Sequence, residues 1–538
     1  MRLAAPAFVC LVAAGGVLAQ QAERNRPVLE IPESIDIAGR ASYQQVTEGE
    51  KVFVYFGMAF PVERTADQEG PGPGEPLPTL TSKELYPMLV RHGGARATSV
   101  EGMAQNYGNG LIGARHVADI RGWLGSADAE LGGGAGHVDG ADWHREMVSG
   151  RAQRAATWRT TYDGSVLVES GRTGVWGVEA LSHRTYYGIG GGAGLDHAFA
   201  GDHEVRLGVD LRQRDVGDPR MNVSEQSLTS DLTWQNASGR FWLKGDVLAD
   251  LVHTSRDSGT AGTSSAVAVS AEAWTRPEEN FGGALGVTIY SAKYLGGDSL
   301  RTIRPSVTAW ARLFNTVKFS ARLTSGLERF GIWEAYQQQP MLSLDTPLRM
   351  AFHSVDIDVN GEAPIRHAHL MNIGLREQVI RDYPVWKRQA AGEPFVADYG
   401  YAMGQTASIA SFYGRYRYTW SSGSSDVLAI WRKHSLVGQR VPYVPDWEVH
   451  ATTGVPLWRG ITISPTAQVI GPRAAVRPVA TLDRLGAYAV LDLEAAYPLR
   501  GGWLLTGSLF NLLNQNYERW QGVREPGFHV QLGAKRTW

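Results

Sequence analysis

Hydrophobic and polar residues alternate with a period of two along most of this chain. Residues 203–212, 315–324 and 461–469 each place apolar side chains on one face and polar or charged side chains on the other. A period of two predicts β-strands, whereas an amphipathic helix needs a period of about 3.6. The same alternation runs through 241–251, 265–274, 305–313 and 487–497.

The strand-like segments are long and numerous. We count roughly 22 of them between residues 97 and 538, many of about ten residues, which is the length of a tilted crossing of a bilayer. Charged residues lie deep within the polar faces, and a soluble core would not tolerate them unpaired. A soluble sandwich or propeller is therefore disfavoured. The pattern predicts an all-β fold, a transmembrane antiparallel β-barrel of about 22 strands, whose closure pairs every backbone polar group.

Predicted positions on the barrel wall follow from this alternation. Polar faces would line a wet lumen, and the candidate lumen residues are Arg206, Asp210, Arg212, Lys244, Asp246, Glu272, Arg312, Lys318 and Arg322. Because both signs of charge occur, strong ion selectivity does not follow. Tryptophans near strand ends are expected in aromatic girdles, and these are Trp158, Trp176, Trp242, Trp274, Trp420, Trp458 and Trp503. The polar stretches 254–263 and 383–397 are predicted to be extracellular loops.

The first residues read as a secretory signal spanning residues 1–19. Arg2 supplies the positive start, and Val17-Leu18-Ala19 fits a small-residue cleavage site. Cys10, the single cysteine, lies within the signal, so the mature chain would have no disulfide and no thiolate chemistry. Residues 20–96 are predicted to be a periplasmic segment with a Pro/Gly-rich linker, and the barrel is predicted to span 97–538.

Charge and hydropathy exclude two other classes of protein. The net charge is -2, from 52 Lys and Arg against 54 Asp and Glu, so no nucleic-acid partner is expected. Past residue 19, no apolar run approaches the roughly 18 residues that a spanning helix needs.

The last strand is apolar on one face and ends on an aromatic residue. Phe528, Val530 and Leu532 alternate with polar residues, and the sequence stops at Trp538. This pattern resembles the C-terminal signal that the barrel-assembly machinery reads.

The last hundred residues also carry a set of motifs in a fixed order. Val441-Pro442-Tyr443-Val444-Pro445 precedes one strand, Gly471-Pro472-Arg473 ends the next, and 485–497 follows with a Tyr-hydrophobic-Asp strand pattern. The closing signature consists of Asn511, Leu512, Asn514, Tyr517 and Glu518, followed by Pro526 and Gly527. Together these pieces resemble the C-terminal part of TonB-dependent receptor barrels.

The resemblance implies an outer-membrane barrel, in contact with membrane lipid, that transports an unidentified solute and needs no cofactor. A plugless porin-like channel and an anchoring partner of a periplasmic or surface assembly are the alternatives. Residues 31–40 resemble the opening strand of the family's plug, and segment 20–96 is a candidate plug remnant because the rest of a full plug pattern is not evident there. A periplasmic partner is expected, and a requirement for TonB is left open.

Several short patterns suggest other chemistry, and each has a simpler interpretation. Residues 188–193 are Gly-rich like a dinucleotide fingerprint, but they open no helix in a βαβ unit. Two sets of metal-type side chains occur, and lumen lining and a solvated loop explain them better than a metal. The sets are His367 with His369, and His137, Asp139, Asp142, His144 and Glu146. No nucleophile elbow is found, so no enzymatic activity is predicted.

The terminal strand generates the first prediction. Deleting residues 528–538 should abolish membrane insertion, because both a pairing edge and the assembly signal are lost. Trp538→Asp should impair insertion, because a charge replaces an aromatic side chain at the interface. Comparing the gel migration of unheated and boiled outer-membrane fractions measures the folded barrel. Normal amounts of folded deletion variant would contradict the assignment.

Overall fold

A computed structural model describes residues 96–538 except for short gaps. The gaps are 121–122, 137–140, 158, 176–182, 200–202, 238–240, 259–260, 276–279, 296–298, 314–316, 329–330, 340, 347, 367, 389–392, 399–405, 421–422, 458–459 and 477–481. The predicted signal and nearly all of segment 20–96 lie outside the described residues. The first strand begins at Arg96, next to the predicted barrel boundary.

Twenty-two strands form one antiparallel sheet that closes on itself. The first and last strands pair from Ser99 with Thr537 to Gln105 with Gln531, which leaves no open edge. The predicted all-β barrel and its strand count are confirmed. The wall strands are β1 Arg96–Gln105, β2 Gly110–Ile120, β3 Trp123–Gly134, β4 Trp143–Thr157, β5 Thr160–Gly174, β6 His183–Ala198, β7 His203–Gly217, β8 Asn222–Asn236, β9 Phe241–Arg256, β10 Ala261–Thr275, β11 Phe281–Lys293, β12 Ser299–Leu313, β13 Val317–Glu328, β14 Ala351–Arg366, β15 His369–Arg381, β18 Thr406–Trp420, β19 Gly423–Leu436, β20 Trp447–Pro456, β21 Thr462–Ile470, β24 Tyr488–Leu499, β25 Trp503–Phe510 and β28 His529–Thr537.

The other elements of the described residues belong to the loops. They are the helix α1 Ile332–Gln338 and three two-stranded hairpins, β16 Val385–Arg388 with β17 Phe395–Asp398, β22 Arg473–Val476 with β23 Leu482–Leu485, and β26 Glu518–Trp520 with β27 Val523–Arg524. Within the described residues, no helix is long and apolar enough to cross a membrane.

The two ends of the barrel differ in the length of their connections. At one end, neighbouring strands are joined by connections of only a few residues, such as 500–502, and we call this the short-turn end. At the opposite end, five long connections join the strands of the second half of the wall, and we call this the long-loop end. They are residues 329–350, 382–405, 437–446, 471–487 and 511–528. The predicted loop at 383–397 lies among them, but most of 254–263 belongs to β9 and β10, so that prediction was wrong.

Apolar side chains on the outer face alternate with inner ones along the wall. Leu211 is 56%, Leu285 68% and Ile303 66% exposed. A barrel in lipid needs such an outer surface, whereas a soluble protein rarely exposes a continuous apolar patch. Exposed aromatic side chains gather near the short-turn end, where a membrane interface would lie, and include Trp123, Tyr162, Phe199, Phe281, Trp503 and Trp538.

The predicted girdle tryptophans divide between the two faces. Trp503 is exposed near a strand end, and the ring of Trp420 contacts Tyr418 at 5.2 Å. Trp274 instead faces inward, because its indole N–H donates to Glu272 at 3.0 Å. Trp242 pairs with Trp274 in register and shares its face, so the girdle prediction was wrong for both. Trp158, Trp176 and Trp458 lie outside the described residues.

The alternation predicts a contrast between adjacent residues of β13. Leu323 pairs with Val307 and Ile357 on the outer face, and Arg322 pairs with Thr308 and Asp358 on the inner face. Leu323→Arg should destabilise the barrel by about 1–4 kcal/mol, because it places a charge in lipid. The matched variant Arg322→Leu should cost much less. Urea unfolding of barrels refolded into lipid vesicles measures both, and equal losses would contradict the assignment of faces.

Candidate functional site

Segments from the long loops fold over the mouth at the long-loop end. Residues 331–346, the β16–β17 hairpin and the β26–β27 hairpin pack together there, and we call these three segments the cap. The β16–β17 hairpin leaves the wall nearly half-way round the ring of 22 strands from β6. The cap nevertheless shares a buried core with β6, so it spans the mouth.

The cap has an apolar core that the barrel wall completes. The cap side of the core consists of Ile332, Trp333, Ala335, Tyr336, Met341, Leu342, Leu344, Trp386, Phe395, Ala397 and Val523. The wall adds Tyr186, Val216 and Val223, and the latter two are fully buried. Trp333 and Tyr336 pack on the Tyr186 ring with centroid distances of 5.6 and 6.1 Å. Burial of this many apolar side chains stabilises the closed mouth.

A buried carboxylate holds the start of α1. Glu225 on β8 is 2% exposed and accepts the backbone N–H of Ile332 at 2.7 Å. Glu334, in the first turn, accepts the N–H of Gly331 at 3.1 Å. Carboxylates are favourable at a helix N-terminus, where free N–H groups point outward. A Cβ at Gly331 would lie 2.3 Å from Glu225 Oε2, so this close approach requires glycine.

Three further polar contacts fasten the cap to the wall. Arg184 is fully buried, donates to the carbonyl of Leu342 and lies 3.7 Å from an Asp218 carboxylate oxygen. Arg256 donates to the carbonyl of Thr346 at 2.8 Å. The Tyr336 hydroxyl donates to Thr173 Oγ1 at 3.2 Å. These contacts use side chains of β5, β6 and β9, so the wall positions the cap through several strands.

Arg214 on β7 joins apolar and ionic contacts. Its guanidinium carbon lies 4.7 Å from the centroid of the Trp333 ring, and its Nη1 lies 3.8 Å from Glu334. Its Nε lies 3.9 Å from Glu169 on β5. The arginine therefore bridges the inner wall and the first turn of α1, where it strengthens the docking through a cation–π contact.

The predicted lumen residues share the face that bears the cap. Arg206, Asp210 and Arg212 lie at even offsets from Arg214 on β7. Lys244 and Asp246 lie at even offsets from Arg256 on β9. Glu272 pairs with Lys244 on the neighbouring strand, so it shares the inner face, and it accepts a hydrogen bond from Ser306. Arg312 lies at an even offset from Ser306 on β12 and pairs with Lys318 on β13. Arg322 lies four residues after Lys318 and therefore on the same face. Their part in selecting a solute stays a prediction.

Several of these charges are neutralised locally. Arg212 Nε lies 2.6 Å from Asp210, and Lys244 Nζ lies 3.2 Å from Asp246. Lys318 lies 4.0 Å from Glu362 on β14. In these places the inner wall carries neighbouring charges of opposite sign, and weak ion selectivity stays a prediction.

The family-like motif shapes the last long connection. Asn511 adopts a positive φ of 47° and its amide donates to the carbonyls of Gln515 and Pro526, both at 3.0 Å. Asn514 accepts the N–H of Phe528 at 2.9 Å, and a Cβ at Gly527 would lie 2.7 Å from its oxygen. Both asparagines tolerate the left-handed conformation of this turn. Leu512 donates its N–H to Leu491, Tyr517 stacks on Tyr488 at 4.2 Å, and Glu518 accepts the N–H of Gly522.

The closing strand has the predicted alternation. Phe528, Leu532 and Trp538 are exposed on the outer face, whereas His529 and Gln531 between them are buried. Val530 lies between Phe528 and Leu532 on the same face. The role of this strand as an assembly signal stays a prediction.

The side chains considered for metal binding make other contacts. His144 contacts Glu146 at 3.0 Å on an exposed strand face, and His369 stacks on Tyr418 at 4.4 Å. His137, Asp139 and His367 lie outside the described residues. Among the residues that the structure describes, no group of three or more metal-type side chains assembles.

Sequence reasoning missed the cap. Gly331 followed by Ile332-Trp333-Glu334-Ala335-Tyr336 contained a weak helix signal, with an acidic residue in the first turn. A helix of 7 residues, about two turns, is too short for periodicity to detect. Arg184, Arg214 and Glu225 lie in ordinary alternating strands, and only the folded loops show their partners.

Comparisons with known proteins agree on the fold. No protein family and no curated protein is matched in sequence. The FrpB iron transporter from Neisseria meningitidis (F3-3 variant) is similar with a TM-score of 0.66 and 10% identity, covering 82% of this chain and 81% of that chain. The copper transporter OprC has a TM-score of 0.66 and 12% identity, covering 83% and 80%.

A third structure extends the same comparison. The ferric yersiniabactin uptake receptor FyuA from Yersinia pestis gives a TM-score of 0.61 with 12% identity, covering 83% of this chain and 80% of that chain. At such low identity the likeness establishes the fold alone. The predicted TonB-dependent-receptor-like barrel is confirmed at that level.

The anchoring contacts give a prediction for Glu225. Glu225→Ala removes a charged acceptor from a helix N-terminus, and the docking of α1 should weaken by about 1.5–3 kcal/mol. The Ile332 amide should then exchange its hydrogen faster, while gel migration of the unheated barrel stays unchanged. Asp210→Asn, which changes an inner carboxylate away from the cap, is the control. Unchanged protection of Ile332 in Glu225→Ala would contradict the anchoring role.

Proposed function

We propose that this chain is an outer-membrane transporter that admits a solute through the barrel, and that the cap controls its outer mouth. The cap across a 22-strand barrel carries this proposal. Barrels of 16–18 strands serve as open aqueous channels, whereas 22-strand outer-membrane transporters are plugged. A wide barrel whose mouth is covered by a cap fits regulated uptake better than free diffusion.

The proposed orientation follows from the two ends. Outer-membrane barrels have short periplasmic turns and longer extracellular loops. The long-loop end with its cap would therefore face the outside, and the short-turn end would face the periplasm. Because β1 starts at the short-turn end, segment 20–96 would precede the barrel on the periplasmic side. A periplasmic partner, with TonB as one candidate, would engage the protein there.

The solute is proposed only by class. The printed names of the similar structures describe uptake of iron, copper and ferric yersiniabactin by those proteins. For this chain we propose uptake of a small solute whose size the cap limits. The inner wall's paired charges support a polar or charged solute rather than an apolar one.

Conductance tests the closure. The purified full-length protein should conduct poorly in planar bilayers, because the cap blocks the mouth. The double variant Trp333→Ala with Tyr336→Ala removes two rings from the core shared with Tyr186, and its conductance should rise several-fold. Trp431→Ala, which removes a ring that is 69% exposed on the outer face, is the control.

The other outcomes separate the alternatives. High conductance of the unaltered protein would indicate a porin-like channel and contradict closure by the cap. Low conductance in the cap variant, followed by a rise only after deletion of residues 20–95, would assign the closure to that segment. Solute uptake by cells that depends on TonB would identify the energy source.

A further inference from the structure

Where the two hairpins of the cap meet the 437–446 connection, three loops bring four side chains together. Arg388 ends β16 and its guanidinium carbon lies 4.6 Å from the centroid of the Phe395 ring on β17. Trp520 on β26 packs edge-on against Phe395 at 6.1 Å and tilts against Tyr443 at 4.6 Å. Because Tyr443 belongs to the 437–446 connection, the cluster joins three of the five long loops.

The guanidinium of Arg388 is buried, and Arg388 is 8% exposed. Its Nε and Nη2 have no hydrogen-bond partner among the described residues. The nearby Glu518 carboxylate instead accepts the N–H of Gly522 at 2.9 Å. Among the described residues, no carboxylate lies within ion-pairing distance of Arg388. Burial lowers the pKa of Arg388, while Tyr443 and Glu518 raise it in part, yet an arginine keeps its charge at neutral pH.

The second unpartnered group in the cluster is also a donor. The Nε1 of Trp520 is buried and has no hydrogen-bond partner within the part of the chain that the structure describes. An indole N–H and a guanidinium can only donate. Cation binding is therefore excluded at this point, and the missing component is a hydrogen-bond acceptor that carries negative charge.

Such an arrangement is costly for the protein alone. Buried donors without partners lose their hydration and gain nothing in return, and a buried charge loses more. Folded proteins pair nearly all such groups, and among the described arginines Arg388 is the one with two buried nitrogens that lack a hydrogen-bond partner. A ligand that supplies hydrogen-bond acceptors would offset this desolvation cost when it binds, so the cluster favours such a ligand.

We propose that Arg388 and the Trp520 indole form an oxyanion-binding subsite within the cap, which takes a carboxylate or phosphate group. The planar guanidinium can donate from Nε and Nη2 to two oxygens of one such group, and these are its two unpartnered nitrogens. The inference rests on the proposed function in one respect, since it assigns the oxyanion to the transported solute. Binding itself can be measured without transport.

The test uses the purified full-length protein in detergent. Inorganic phosphate and benzoate, a flat carboxylate, are titrated separately by calorimetry, with tryptophan fluorescence as a second readout. We expect at least one probe to bind and to raise the Tm. Arg388→Gln should weaken that binding at least tenfold, because it loses the positive charge and the paired donation from Nε and Nη2. Arg388→Lys keeps the positive charge but lacks the planar guanidinium, so its affinity for the probe should lie between those of the unaltered protein and Arg388→Gln.

A matched control separates this site from general charge effects. Arg440 belongs to the same loop as Tyr443, but its side chain is 53% exposed and pairs with Asp446 at 2.9 Å. Arg440→Gln should bind the probes like the unaltered protein. Without probe, Arg388→Gln should have an equal or higher Tm, because it removes a buried charge that lacks a partner.

Three results would overturn the proposal. The first is no binding of either probe by the unaltered protein at about 10 mM. The second is unchanged affinity in Arg388→Gln, and the third is equal weakening in Arg440→Gln. Failure of the transport proposal would look different, because the conductance of the cap variants would then fail to rise whether or not the oxyanion binds.

Discussion

The closure of the sheet between β1 and β28 is the contact on which the rest of the structure depends. A strand that crosses lipid has no water to satisfy its N–H and C=O groups, so each must pair with a neighbouring strand. The register from Ser99–Thr537 to Gln105–Gln531 pairs the first and last strands and leaves no edge. Closure also gives every strand an inner face and an outer face. The outer face contacts lipid, so it is apolar and carries aromatic side chains near the short-turn end.

Closure of so many strands creates a second requirement, because side chains alone cannot fill the interior of a wide barrel. The largest apolar cluster among the described residues accordingly lies at the long-loop end. It forms where residues 331–346 and two hairpins meet Tyr186, Val216 and Val223 at the long-loop end. The loops thus perform the packing that a central core performs in a soluble domain, and they close the mouth in doing so.

The sequence predicted the wall well and the cap poorly, for a physical reason. Alternation is a local property, so strand number and the faces of Arg212 or Lys318 can be read from neighbouring residues. The cap depends on contacts between distant residues, 158 apart for Arg184 with Leu342 and 107 apart for Glu225 with Ile332. Trp242 and Trp274 were misplaced because proximity to a strand end was weighed above the face that alternation assigns them.

The chemistry of the cap's anchors bears on how it can open. Arg184 and Glu225 are buried, so they lost hydration when the cap docked, and their hydrogen bonds return only part of that loss. If the cap lifts, these groups regain water, which lowers the cost of breaking their contacts. The apolar core gains nothing comparable from exposure to water. Because the core of residues 331–346 includes Tyr186, Val216 and Val223 of the wall, exposure of this shared core, rather than breaking of the polar contacts, contributes most of the cost of opening.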